Sequence, residues 1–362
     1  MTQRFTCGTA EVGAADAARV GGKAAALGEL ARAGLPIPRG FAITAAAFGL
    51  HADAVDPGSA TRAGLGSLAP DDLAGIARAA AGLRARVAAR ALPADVAAEI
   101  ASAYERLGAG PVAVRSSATL EDSAEASFAG LQDTYLAVRG ADAVLDRVRA
   151  CWASLYNDES IAYRRRQGIG EDGLAMGVVV QRMLNPRSAG VMFTRSPVTG
   201  DRSVVAIEGT WGLGSALVGG EVTPDSFTVS KVTGEITGRR VGVKLRVHSF
   251  TPNGQGISAA PMPFALRRSA CLSDDEARAL AQTGRQVEDH YGAPQDIEWA
   301  LLGDSPCHPA LHADFADRIV LLQSRPETVW AAREQAPLAT PNPAPATTSW
   351  PGWRSRCDGP DQ

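Results

Sequence analysis

Residues 111–135, PVAVRSSATLEDSAEASFAGLQDTY, mark the point where the chain turns from helix to sheet. PVAVRSS is short, apolar and β-branched, as a strand requires, and TYLAV at 134–138 reads as the strand that returns behind the loop. Upstream the spacing is helical. GGKAAALGELARAGL, residues 21–35, carries apolar residues at helical intervals, and Gly34 followed by Pro36 and Pro38 stops it. Two further helical stretches cover 71–90 and 93–107, each opened by acidic residues or proline. Downstream, 143–168 returns to helical spacing; from 174 the chain becomes strand-rich, in LAMGVVVQRML, SAGVMFTRS, SVVAIEGTW and DSFTVSK. A helix follows at 273–292, where Ser273 and Glu276 match the S-x-x-E capping box. DIEWALL (296–302) and RIVLLQSRP (318–326) are the last two strands. This succession predicts an α+β fold of two lobes enclosing a cleft, 1–182 and 183–330, with an Ala/Pro-rich flexible tail over 331–362.

A chain of 362 residues that is 45% hydrophobic can bury a substantial core. Its net charge of -3 gives no global field toward nucleic acid or an anionic membrane. There is no apolar run of membrane-spanning length, and MTQRFTCGTAEVGAADAARVGGK lacks the order of a signal peptide, so the expectation is a cytoplasmic protein. The five cysteines are scattered and form no CxxC pair, which argues against a disulfide framework. Cys307, His308, His312 and Asp314 have the residue types of a zinc site, but Cys307 and His308 are adjacent and SPCHPALHADFAD reads as an irregular loop.

Three stretches carry candidate chemistry. In the first, a strand delivers Arg115 to a loop of small hydroxyl residues and glycine, suited to close approach by an anion. An ordinary surface loop with a salt-bridged Arg reads the same way. In the second, Asp296 and Glu298 alternate on one strand, and Gln323 and Arg325 on the next. Paired as a hairpin, they would present two carboxylates, an amide oxygen and a guanidinium on one face, the groups a magnesium–nucleotide complex needs. Ile297 and Trp299, or Val320 and Leu322, would supply the apolar opposite face; a solvated outer strand pair would show the same alternation. The third is Gly21-Gly22-Lys23, where a cation near a helix start runs against the dipole, so either an anion binds there or Lys23 is a surface residue.

Taken in order, GGKAAALGELARAGLPIPRGFAIT, VAVRSSATLEDSAEASFAG, VVVQRM, AGVMFT, WGLG, PDSF, PQDIEWA and LLQSRPETV resemble the N-terminal ATP-binding domain of the phosphoenolpyruvate synthase and pyruvate phosphate dikinase family, over roughly 12–330. The same domain occurs in rifampicin phosphotransferases and phenylphosphate synthases. The resemblance implies an ATP-grasp-like fold that uses ATP and Mg2+. It casts Lys23 and Arg115 as phosphate-binding and, with Arg325 acting on the transferred phosphoryl group, catalytic residues. Ser117, Gly130 and Thr134 fall in or beside its phosphate-covering loop, and Gln181 to Leu184, including Met183, in the segment that meets adenine. Glu298 and Gln323 look like the magnesium pair, with Asp296 secondary. Ser215 departs from the family, which often has Glu after WGLG, and the 303–317 loop is long for its position.

In that family ATP phosphorylates a histidine on a mobile domain with a Gly-rich, Thr-Ser or Thr-Cys, His-Ala signature. None of His51, His248, His290, His308 or His312 has that setting, and each is expected on a surface or in a loop. The resemblance therefore implies a donor subunit that phosphorylates a histidine on a separate partner, releasing AMP and phosphate. Alternatives are a non-catalytic ATP-responsive binding module that engages its partner through the tail and the 303–317 loop, or a direct small-molecule phosphotransferase or ligase.

Overall fold

The computed structural model describes residues 4–330 except 70, 120–132, 167, 171–173, 252–253, 255, 304–318 and 329. Gly130, the Cys307–Asp314 cluster and the tail lie outside the described residues, as does all of the 303–317 loop except Gly303.

Among the described residues the fold is mixed α and β, organised on two main sheets. The first contains β1 (Thr6–Gly8), β2 (Gly40–Ile43), β3 (Val112–Ala118), β4 (Thr134–Val138) and β5 (Met176–Arg182), in the order β1-β2-β5-β3-β4. The second draws on β6 (Ser188–Phe193), β7 (Val204–Trp211), β8 (Asp225–Ser230) and β9 (Ile236–Arg240). A separate hairpin, β10 (Arg246–Phe250) with β11 (Ile257–Pro261), precedes the closing pair β12 (Gln295–Leu301) and β13 (Ile319–Pro326), and the second sheet runs β13-β12-β6-β7-β8-β9. Every pairing in these sheets is antiparallel.

The helices are α1 (Ala17–Val20), α2 (Gly22–Arg32), α3 (Ala45–Val55), α4 (Ala60–Ser67), α5 (Leu73–Ala89), α6 (Ala94–Arg106), α7 (Ala141–Ser154), α8 (Asp158–Arg166), α9 (Ser215–Val218) and α10 (Asp274–Tyr291). Helices α3 to α8 pack on the face of the first sheet formed by Val112, Val114, Val178 and Val180, around Trp152 and Tyr104. Helix α10 backs the second sheet, where Ala277, Leu280 and Val287 meet Met192, Ile207, Ile297 and Trp299. Its start is the capping box read from sequence: Ser273 Oγ accepts from Glu276 N at 3.3 Å, and Glu276 Oε2 accepts from Ser273 N at 2.9 Å.

Helix α2 joins the two halves. Ala24, Ala25 and Leu27 cover Ala42 and Val179 of the first sheet, whereas Leu30 enters the core of the second. Gly34, with φ +72, ends this helix, and Leu35 N returns to Leu30 O at 3.0 Å. Tyr291 Oη, at the end of α10, donates to Ala26 O at 3.2 Å, and Leu321 N donates to Pro36 O at 2.8 Å. One helix thus packs against both sheets.

The helical spacing over 143–168 is realised as two helices, α7 ending at Ser154 and α8 beginning at Asp158, with Leu155 and Tyr156 buried between them. One sequence expectation fails here. The early histidines do not lie on the surface. His51 is fully buried on α3, its Nε2 2.9 Å from Val87 O and its ring 5.3 Å from that of Trp152. His248 lies on strand β10 and is 9% exposed.

Candidate functional site

The site is built where one face of β3 and β5 meets the β12–β13 hairpin. On β3 the even residues face the helical core, so Ala113, Arg115 and Ser117 share the other face. The same alternation on β5 puts Gln181 opposite Ala113. Helix α2 covers the Ser117 end of that face, and the Ala113 end is left open.

The Gly21-Gly22-Lys23 turn fixes α2 to the sheet. Gly21 has φ +82 and ψ 165, and a Cβ there would sit 1.8 Å from Ser117 O, so only glycine fits. Ser117 Oγ then accepts from Ala24 N at 3.2 Å, giving one of the first orphan amides of the helix a partner. Lys23, the residue before Ala24, is thereby placed at the Ser117 end of β3.

Arg115 reaches across to the second sheet. Its Nη2 donates to Glu298 Oε2 at 2.9 Å and to Gln323 Oε1 at 2.6 Å, and its Nη1 to Leu322 O at 3.3 Å. The hairpin register explains the convergence, because Glu298 pairs with Gln323 and Asp296 with Arg325. Farther along the same strands Arg325 holds Asp296 through Nε at 2.8 Å and Nη2 at 2.6 Å. The expected four-residue face is therefore present. Ile297 and Trp299 form the apolar reverse face as expected, but Val320 and Leu322 do not join it: a register shift between Glu298 and Trp299 leaves Leu322 on the cavity side, and Leu321 packs with Ile297 and Trp299 instead.

Between the sheets lies a cavity of ≈ 280 Å³. Arg115, Thr134 and Glu298 line it, together with Gln181, Met183 and Leu184. Leu184, Ala300 and Leu322 make one wall apolar. Gln181 is 3% exposed and its Nε2 has no hydrogen-bond partner among the described residues, nor does the buried Nε of Arg115. Buried donors left unmade cost about 1–3 kcal/mol each, so a polar ligand in this cavity would relieve a standing penalty. Ser117, Lys23, Asp296, Gln323 and Arg325 do not line the cavity. Gln323 and Ser117 adjoin it through Arg115 and β3, while Asp296 and Arg325 lie two residues beyond its edge along the hairpin.

Sequence reasoning named Ser215 only as a departure from the family; the structure places it on the cavity wall, with its Oγ 2.9 Å from His248 Nδ1. The Gly-rich WGLG run before it was the available signal. His248, 33 residues away, carried none.

A group of three or more His, Cys, Asp or Glu fit for a metal does not occur among the described residues. The donor set available is smaller and harder. The Glu298 carboxylate and the Gln323 amide oxygen both contact a single cationic nitrogen, Nη2 of Arg115. Two hard oxygens converging on one positive centre are donors of the type that suits a hard divalent cation.

A guanidinium, carboxylates and an amide at the mouth of a partly apolar cavity define the chemistry of a nucleotide-binding protein. The chain matches the family described as pyruvate phosphate dikinase, AMP/ATP-binding domain, over residues 17–343, and it belongs to that family. It is 38% identical to a probable phosphoenolpyruvate synthase of Staphylothermus marinus, over 92% of this chain and 42% of that protein. It is 44% identical to a rifampicin phosphotransferase of a Streptomyces species, over 84% of this chain and 35% of that protein. A phosphoenolpyruvate synthase of Aeropyrum pernix is 36% identical, over 89% and 42%. The chain thus spans less than half the length of these relatives. The match establishes that the chain carries the AMP/ATP-binding domain of that family. No helix among the described residues is long and apolar enough to cross a membrane.

Proposed function

We propose that this chain is the phosphoryl-donating module of a phosphoenolpyruvate-synthase-like system. It binds ATP with Mg2+ in an ATP-grasp-like cleft between its two sheets and phosphorylates a histidine on a separate partner protein in the cytoplasm. The β-phosphoryl group is the one transferred, with water consumed and AMP and phosphate released. The observation that carries this reading is the reach of Arg115 from β3 to Glu298 and Gln323 on the opposite sheet. It brings a phosphate-type cation and two metal-type oxygens to the edge of a cavity whose far wall is apolar.

The residues divide the work. Gln181, Met183, Leu184 and Leu322 offer an apolar slot with one amide for the base. Arg115 and Lys23 take phosphate oxygens, with the hydroxyls of Ser117 and Thr134 beside them. Glu298 and Gln323 would hold the magnesium ion, which supplies charge neutralisation on the phosphates when bound. Asp296 orients Arg325 through two hydrogen bonds, so that its guanidinium stands ready for the transferred group. No side chain here acts as a covalent carrier; the contribution is positioning and electrostatics.

The test is to mix the purified chain with Mg-ATP and a histidine-domain protein from a phosphoenolpyruvate synthase. Phosphohistidine appearing together with AMP supports the reading. Formation of ADP, or nucleotide binding with no transfer to any histidine partner, would favour a different kinase or a non-catalytic binding module.

A further inference from the structure

Ser215 stands at the first position of α9, on the cavity wall formed with Leu213, Gly214 and Val218. The WGLG segment before it lies over β6, where a Cβ on Gly214 would be 3.6 Å from Ala189 Cβ. It is also fastened to β10, because Leu213 N donates to His248 O at 2.9 Å. The side chains extend this link into a chain of three groups. Ser215 Oγ is 2.9 Å from His248 Nδ1, and His248 Nε2 is 3.4 Å from Glu221 Oε2, which Arg246 Nη1 approaches at 3.7 Å.

His248 Nε2 makes no hydrogen bond among the described residues, and the Glu221 carboxylate is the acidic group beside it; we take the tautomer with its proton on that side. Nδ1 is then an acceptor, so the Ser215 hydroxyl donates to it and turns its lone pairs to the cavity. The wall of the cavity at Ser215 is an acceptor, and it complements a ligand group that donates.

We propose that Ser215 is a specificity-determining residue of this cavity: it accepts a hydrogen bond from a donor on the nucleoside half of the bound nucleotide, and His248 and Glu221 are positioning residues that hold it in the accepting state. The nucleoside half is indicated because Ser215 stands in a segment whose other long cavity-lining side chains, Leu213 and Val218, are apolar, whereas the charged groups Arg115 and Glu298 come from β3 and β12. A sugar hydroxyl and an exocyclic amine are both donors of the required kind. The inference rests on the nucleotide reading of the cleft, and it goes beyond it in naming which part of the ligand is read and by what.

Affinities of the full chain for ATP, 2′-deoxy-ATP, 3′-deoxy-ATP and purine riboside triphosphate, measured by calorimetry with Mg2+, test it. The wild type should bind one analogue roughly three- to tenfold more weakly than ATP, the range for one neutral hydrogen bond, and the identity of that analogue names the donor. Ser215→Ala should bind ATP and that analogue alike, and Ser215→Thr, which keeps the hydroxyl, should restore the difference. His248→Leu should narrow the ratio, and His248→Asn, with an amide at the Nδ1 position, should recover part of it. Equal binding of all four nucleotides by the wild type would overturn the inference, as would discrimination that survives in Ser215→Ala. Failure of ATP itself to bind would remove the nucleotide reading and this inference together, so the two failures are distinguishable.

Discussion

Arg115 on β3 and Glu298 on β12, 183 residues apart in the chain, form a 2.9 Å ion pair that crosses from one sheet to the other. Arg115 is mostly buried and Glu298 about one-third exposed, so water can reach the carboxylate from the cavity side. In a partly buried pair of this kind the cost of desolvating Arg115 offsets much of the attraction, so its net contribution to stability is small. Its consequence is positional: the oxygens meant for a cation are kept together and already face positive charge.

Glu298→Gln preserves the shape of the side chain and removes its charge. Magnesium-dependent ATP affinity should fall about tenfold or more, while the melting temperature stays within a few degrees of the parent. Nucleotide titration at several Mg2+ concentrations measures it. An unchanged magnesium dependence would take Glu298 out of the metal set.

How far the sequence foretold this arrangement depends on distance along the chain. The β12–β13 face was legible because Asp296, Glu298, Gln323 and Arg325 alternate on two strands close in sequence. The α10 capping box and the α2 stop at Gly34 were legible for the same reason: each is local chemistry. The bulge that swings Leu322 into the cavity was not, since it depends on one extra residue in a register that alternation alone cannot reveal. Strands β9 to β11 gave weak signals, with few buried positions to set a period. Burial of His51 and the Ser215–His248 link arise from contacts 33 or more residues apart, and no local pattern encodes those.

Gly21→Ala tests the seating of α2 on β3. A side chain there meets both a glycine-only backbone region and the Ser117 carbonyl, so the cost should be at least about 2 kcal/mol. Urea denaturation would read it as a lower midpoint. ATP affinity should fall in parallel, because the Lys23 end of the helix is displaced from β3. A variant as stable as the parent would show that the turn relaxes freely.

Lys244 and Asp225 form an ion pair with no exposed side-chain surface. Asp225 also accepts from Gly242 N at 2.8 Å and Cys271 N at 2.7 Å, so one carboxylate joins β8, the segment before β10 and the segment before α10. Lys244→Met leaves that carboxylate buried without its cation and should cost about 3–5 kcal/mol. Lys244→Met combined with Asp225→Asn should recover part of the loss, since no net charge then remains buried. Chemical denaturation of the single and double variants measures the coupling, and additive losses would refute it.

His51 provides a pH dependence whose sign follows from its surroundings. Burial is the largest influence and lowers its pKa below the ordinary 6.5; the hydrogen bond with the Val87 carbonyl opposes this, and the charges of Arg149 and Arg90 add to it. In the unfolded chain the imidazole takes up a proton near its ordinary pKa, whereas in the folded protein it resists protonation to lower pH. Between those two values the unfolded state binds more protons, so stability falls as pH falls through that window. The contribution of neutral His51 is fully present above about pH 6.5 and is lost progressively below it, with a slope of at most about 1.4 kcal/mol per pH unit for this one group. His51→Asn removes the titrating ring and should flatten the unfolding free energy between about pH 6.5 and 5 relative to the parent. Urea midpoints at half-unit pH intervals would show it. Parallel curves for the two proteins would mean that His51 is protonated as readily inside the helical core as outside it.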